Sequence, residues 1–257
     1  MKPLVAKIKP ARGVSSLLHG ILLFAFALLL FVLVRLDNFD LLAFMLVALS
    51  KWRMFAVRPR FWPANIRANA IDIIVGLSSL VFMIQAPSVL WQLLWAAVFA
   101  AWLILLKPGS TLLHTSLQAL VGFVFGLQAV YVAWGGEPLY VLVLATGLVC
   151  FFAARHFFDS FDEPYARLLS YLWGYFGATL MWLLGHMLVV YPRHAGYVAQ
   201  PLLFLTVIGA GLAGAYYLDH FDRFSRYIKR QILFVSVGIV LILLISLYYE
   251  GSQLLLR

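Results

Sequence analysis

The feature that most constrains this chain is the stretch 17–34, which contains no Asp, Glu, Lys or Arg. As a helix it would rise about 27 Å, close to the ~30 Å hydrocarbon core of a bilayer. Similar apolar stretches recur to the end of the chain. Of the 257 residues 64% are apolar and 11% charged, with a mean hydropathy of +0.97. A water-soluble domain is about 45–50% apolar and about 25% charged. Too little charge remains here to coat a soluble surface. That excludes a soluble enzyme, a disordered chain and a nucleic-acid-binding module, and leaves an all-α polytopic membrane bundle.

Nine candidate spans follow, at 17–34, 41–57, 70–85, 89–106, 111–134, 139–154, 168–190, 201–218 and 232–249. They form one integral membrane domain over 1–257, without linker or low-complexity tract. The second candidate is interrupted, because only 41–49 is free of charge before Lys51 and Arg53. Nine crossings put 16 of the 19 Lys and Arg on the side of the N-terminus and three opposite. Basic residues concentrate on the cytoplasmic side, so the N-terminus is expected inside and the C-terminus outside. Two basic segments flank 17–57, so the chain must leave and return between them, as two short helices or a re-entrant hairpin. The net charge of +9 then records orientation and not a nucleic-acid partner. The first apolar stretch is too long for a cleaved signal peptide, and no small-x-small cleavage site precedes Asp37. A multi-pass protein of a prokaryotic cytoplasmic membrane is expected. The single cysteine, Cys150, forms no intramolecular disulfide and reads as a small buried apolar residue.

Charge beside or within the bilayer is costly and marks candidate sites. Asp72 lies about one turn inside the third span, with Arg67 or the Lys51–Arg60 segment as possible counterions. Arg155-His156-Phe-Phe-Asp159-Ser-Phe-Asp162-Glu163 closes the sixth span. If the helix continues, Asp159 and Asp162 share a face, and with Glu163 and His156 they could hold Mg²⁺. A solvated acidic cap explains the same residues. Asp219-His220-Phe221-Asp222 closes the eighth span in a similar way. Asp37-Asn38-Phe39-Asp40 has the same spacing on the other side, as a plain turn signal would. Lys51, Arg53, Arg58, Arg60 and Arg67 alternate with Trp52, Phe55, Phe61 and Trp62. That mixture suits a diphosphate or anionic lipid headgroups, and equally an aromatic interfacial belt. His114, Gln118, Gly122 and Gly126, and likewise the face 209–214 with Gly209, Gly211, Ala213 and Gly214, read as helix-packing surfaces; the second could also meet a membrane partner. His186, deep in the seventh span, could be a proton carrier but reads first as an interhelical hydrogen-bonding residue. No nucleotide-binding loop, metalloprotease or nucleophile-elbow motif is present.

Several of these features resemble the UbiA superfamily of intramembrane prenyltransferases. They are Lys7-Ile-Lys9-Pro10 before the first span, Arg58-Pro59, Leu106-Lys107, Leu120-Val-Gly122 with Gly126, and Asp159-Ser-Phe-Asp162-Glu163 with Arg167 and Ser170. The resemblance implies nine helices, a cytoplasmic N-terminus, and Asp motifs after the second and sixth helices that bind Mg²⁺ and a prenyl diphosphate. Where the first motif should stand, this chain has Lys51-Trp-Arg53-Met-Phe-Ala-Val-Arg58, without an acid. Three functions stay open. One is a UbiA-like protein binding or transferring a prenyl or lipid diphosphate, with Mg²⁺ at Asp159, Asp162 and Glu163 and the diphosphate at Lys51, Arg53, Arg58, Arg60 and Arg67. The others are a transporter of a small solute or lipid, and a non-catalytic subunit packed against a membrane partner.

Overall fold

A computed structural model describes residues 14–36, 38–186, 190–193 and 196–255. Lys2, Lys7, Lys9, Arg12, Asp37 and Arg257 lie outside them, and with them the basic-Pro opening at 7–10. The described residues contain nine α-helices, eight of them long and apolar enough to cross a membrane. These are α1 (Val14–Arg35), α2 (Asp40–Leu49), α3 (Trp62–Ile84), α4 (Val89–Ala101), α5 (Leu112–Trp134), α6 (Leu139–Ser160), α7 (Ala166–Gly185), α8 (Gln200–His220) and α9 (Arg226–Leu255). A small antiparallel hairpin, β1 (Val190–Arg193) and β2 (Gly196–Ala199), joins α7 to α8. The chain is a multi-pass helical membrane bundle.

The stretch 41–57 is not one span. Its helix α2 has ten residues and rises about 15 Å, half the hydrocarbon thickness. It stops where Ser50 turns its hydroxyl back onto the Val47 carbonyl at 2.7 Å, a bond that competes with helix continuation. Lys51 then leaves the helix for Asp72, and the chain runs through two short 3₁₀ turns, Trp52–Phe55 and Pro59–Phe61. Pro63 in the first turn of α3, where its missing N–H costs nothing, restarts the helix. The other helices match the expected stretches and extend several by a turn or two, except that α7 ends at Gly185, short of the expected 190, which lies in β1. His186 moves with that boundary. It stands at the C-cap of α7, exposed, with Nδ1 2.7 Å from the Trp182 carbonyl, and not deep in a span.

Successive helices run in opposite directions. Val47 of α2 meets Gly76 of α3, Leu139 at the start of α6 meets Gly185 at the end of α7, and Ser236 of α9 meets Gly211 of α8. This alternation gathers the segments 50–61, 107–111, 161–165 and 221–225 at one end of the bundle. Lys51, Arg53, Arg58, Arg60, Lys107 and Arg223 lie there, with Arg67, Arg155, Arg167, Arg226, Lys229 and Arg230 on the adjoining helix turns; it is called the basic end below. Arg35 and Arg193 mark the opposite end.

At the centre is α3, which lays Ile71 and Ile74 against Gly122 and Gly126 of α5. These glycines are close-approach positions, as the small-residue spacing suggested. Cys150 is fully buried in the same core, as expected. The helix α4 ends in a π-helical turn, Trp102–Leu106, closed by the Lys107 amide on the Trp102 carbonyl at 2.9 Å. α9 lies at the periphery against α8 and buries little of its surface.

Candidate functional site

Two features at the basic end are candidates, and α6 separates them. The first is a polar network on the α3 side of α6. Asp72 accepts Lys51 Nζ at 2.7 Å and Lys107 Nζ at 3.1 Å. Asp159 accepts Arg155 through two nitrogens, Nη2 at 2.8 Å and Nε at 3.1 Å, the bidentate geometry that fixes a guanidinium most firmly. Arg67 approaches the same carboxylate at 3.4 Å from α3. Arg155 Nη1 is buried and has no partner. Burial pushes the Lys51 ammonium below its ordinary value, and the Asp72 carboxylate opposes that shift.

Gln118 completes this network. Its amide nitrogen reaches the carbonyls of Leu106 at 2.8 Å, Lys107 at 3.2 Å and Gly109 at 3.0 Å, at and just beyond the end of the π turn. Its carbonyl oxygen then faces His156 Nε2 at 3.1 Å, which makes that ring nitrogen the donor. Gln118 thus caps carbonyls at the helix end, where intrahelical partners run out, and ties α4 to α6. His156 is a structural link here and not a member of an acidic cluster.

The acidic pattern itself has a local explanation. α6 stops at Ser160, with Phe161 as C-cap, and Asp162 takes a left-handed φ of 52°. The Glu163 amide bonds the Phe158 carbonyl at 3.3 Å and the Asp162 amide bonds the Asp159 carbonyl at 3.5 Å. This pair is the Schellman helix stop. α8 repeats it: Phe221 is the C-cap, Asp222 has φ 53°, the Arg223 amide bonds Leu218 and the Asp222 amide bonds Asp219. Asp-Ser-Phe-Asp and Asp-His-Phe-Asp are therefore the same stop signal, in which Asp occupies the position glycine usually takes. Asp219 and Asp222 are both exposed.

Asp159 and Asp162 consequently do not share a helix face. Glu163 turns elsewhere and accepts the Tyr216 hydroxyl. Among the described residues no group of three or more His, Cys, Asp or Glu comes together to hold a metal ion. Asp159 is taken by two arginines, Asp162 lies past the helix end and Glu163 is bonded to a tyrosine. These residues do not fit the Mg²⁺ site that the family resemblance implies.

The stop motif carries a prediction. Asp162→Gly and Asp222→Gly remove the left-handed penalty of an L residue, about 1 kcal/mol, while loosening the unfolded chain. Each variant should melt within about 1 kcal/mol of the parent or above it, whereas Asp162→Ala should melt lower. A thermal melt in detergent checks this. A large loss in the glycine variants would show that the carboxylates, and not the turn, matter.

Of the basic segment, only Lys51 and Arg67 point into the network. Arg53, Arg58 and Arg60 are exposed alongside Trp52, Phe55, Phe61 and Trp62. Trp62 Nε1 donates to the Val57 carbonyl at 3.0 Å, Asn65 holds the Met54 carbonyl at 3.1 Å, and Arg60 stacks 4.6 Å over Phe61. The five cations therefore do not converge on one phosphate-sized site. The exposed ones form an arginine and aromatic belt of the kind found at bilayer interfaces.

The second feature is an apolar cavity of about 700 Å³ enclosed by α5, α6, α7 and α8. That volume lies within the roughly 300–1,000 Å³ of known ligand pockets. Its wall includes Leu120 and Phe123 of α5, Phe157 of α6, Trp173 and Phe176 of α7, and Leu212 of α8. Leu172 and Leu212 on its rim are each more than half exposed, so the cavity is open between α7 and α8. Beside this opening Gly209 lets α8 pack closely on α5 and α7, because a Cβ there would stand 2.9 Å from Phe123 and 3.0 Å from Trp173. At the basic end the cavity is closed by a ring cluster in which Tyr216 meets Phe157, Phe158 and Phe161 edge-on.

No family model, curated protein or solved structure matches the chain.

Proposed function

We propose that this protein binds a lipid, holding an apolar acyl or isoprenoid chain in the α5–α8 cavity of a multi-pass bundle in a prokaryotic cytoplasmic membrane. The observation that carries the reading is the cavity itself. A void of about 700 Å³ with apolar walls forfeits dispersion contacts along its whole lining when empty, and a hydrocarbon chain restores them. The opening between α7 and α8 gives a chain entry from the side. The reading is binding and not prenyl transfer, because Asp72 and Asp159 pair with Lys51, Lys107, Arg67 and Arg155 on the far side of α6 from the cavity.

Native mass spectrometry of protein extracted in mild detergent tests it. The wild type should retain a lipid adduct that Ala213→Trp, which builds bulk into the cavity, loses. A wild type that flies lipid-free under conditions that preserve its fold would contradict the reading.

A further inference from the structure

Resting on that lipid-binding reading, we propose that the bound lipid has an uncharged, hydroxyl-bearing polar end, seated on the Tyr216–Glu163 pair, and is not a phosphate ester. The cavity wall contains no Lys, Arg or His among the described residues; its polar side chains are Ser116, Trp173 and Tyr216. Ser116 already donates to the Leu112 carbonyl at 2.7 Å, which leaves Tyr216 as the group that links the wall to a charge. That charge is negative. The Tyr216 hydroxyl donates to Glu163 Oε2, and the Tyr165 amide approaches Glu163 Oε1 at 3.4 Å.

The cations lie elsewhere. Arg155 follows Ala154, which lines the cavity, but its guanidinium is clamped to Asp159 on the α3 side. Lys51 and Lys107 are committed to Asp72. Arg167 is on α7, yet it stacks over Tyr171 at 5.8 Å, and helical spacing puts this pair on a face away from Leu169, Trp173 and Phe176. A phosphate at this end of the cavity would find no cation on the wall and, behind Tyr216, the Glu163 carboxylate, a juxtaposition that interfaces use to reject ligands. An alcohol meets the opposite situation. Its O–H can donate to the Tyr216 oxygen, whose own proton is held by Glu163, so the ligand's one donor is satisfied on burial.

The test compares a long-chain prenyl alcohol with the prenyl phosphate of the same chain, by the shift each produces in the melting of the purified full-length protein. The alcohol should raise the midpoint and bind at least about tenfold more tightly than the phosphate. Glu163→Gln should narrow that ratio by improving phosphate binding; the helix stop survives because Glu163 contributes only its backbone amide to it. Ala213→Trp should abolish both shifts. A phosphate that binds the wild type as tightly as the alcohol, or a ratio unchanged in Glu163→Gln, overturns the inference and leaves the cavity reading standing. If neither ligand shifts the wild type, the cavity reading falls with it.

Discussion

Replacing Asp72 by Asn is expected to cost about 3 kcal/mol of stability, the usual penalty for removing one member of a buried ion pair. The Asp72 side chain is 16% exposed and holds Lys51, itself 14% exposed, and Lys107. Asn keeps the volume but not the charge, so two ammonium groups lose the partner that made their desolvation tolerable. The deficit has a pH signature. Burial already depresses Lys51 below the ordinary 10.5, and Asp72 works against that depression. Without Asp72 the folded-state value falls further, so between it and 10.5 the unfolded chain binds more protons than the folded one. Stability then rises with pH across that window. The variant's deficit should therefore shrink from neutral pH toward 10.5. Unfolding in detergent at several pH values measures it. A deficit below about 1 kcal/mol, or one that grows with pH, would mean that the Lys51–Asp72–Lys107 group is a solvated surface arrangement.

Gly174→Leu should be about as damaging, on the order of 3 kcal/mol, the upper part of the range for overpacking. The longest seam in the bundle is between α6 and α7, and its glycines let the two backbones nearly touch. A Cβ at 174 would stand 3.0 Å from the Gly147 carbonyl oxygen and 3.0 Å from Phe151 Cβ. A backbone oxygen cannot swing aside as a flexible side chain can, so the helices must separate. In a bilayer helix association depends on such packing and not on the hydrophobic effect, and the lost contacts are not replaced. Gly177 provides an internal control. Its added Cβ would collide with Cys150 Sγ, a side-chain atom that can be removed. Gly177→Ala should therefore be partly rescued by Cys150→Ala, a coupling that a double-mutant cycle reads directly. Additive losses would show that the seam is looser than the structure has it.

The bundle was legible in the sequence because two signals agree. Apolar stretches of bilayer length set the helices, and the Lys and Arg distribution sets which ends meet. The second stretch misled, since 41–57 averages an apolar helix with a segment of 3₁₀ turns that begins where Lys51 departs for Asp72. The site was legible only as a collection of residues. Asp159 and Asp162 share a face only if the helix runs on, and a Phe C-cap followed by a left-handed Asp ends it. The repeated Asp-x-Phe-Asp at 159–162 and 219–222 was the sign of a turn. Gln118 was grouped with the packing residues of α5, though a buried amide among helix-end carbonyls is a hub by its chemistry. The cavity had no local signature. Leu120, Phe123, Trp173 and Leu212 read as ordinary span residues, and only the tertiary arrangement of four helices leaves space between them.

The central claim is that a lipid chain occupies the space between α5, α6, α7 and α8. The most direct measurement is photo-crosslinking of the reconstituted protein with a lipid carrying a diazirine on its chain, followed by peptide mapping. Labelling concentrated on Leu120, Phe123, Trp173, Phe176 and Leu212, and lost in Ala213→Trp, is the predicted result. Labelling spread evenly over the outward faces of α1, α4 and α9, and unchanged in Ala213→Trp, would show only the bulk bilayer and contradict the account.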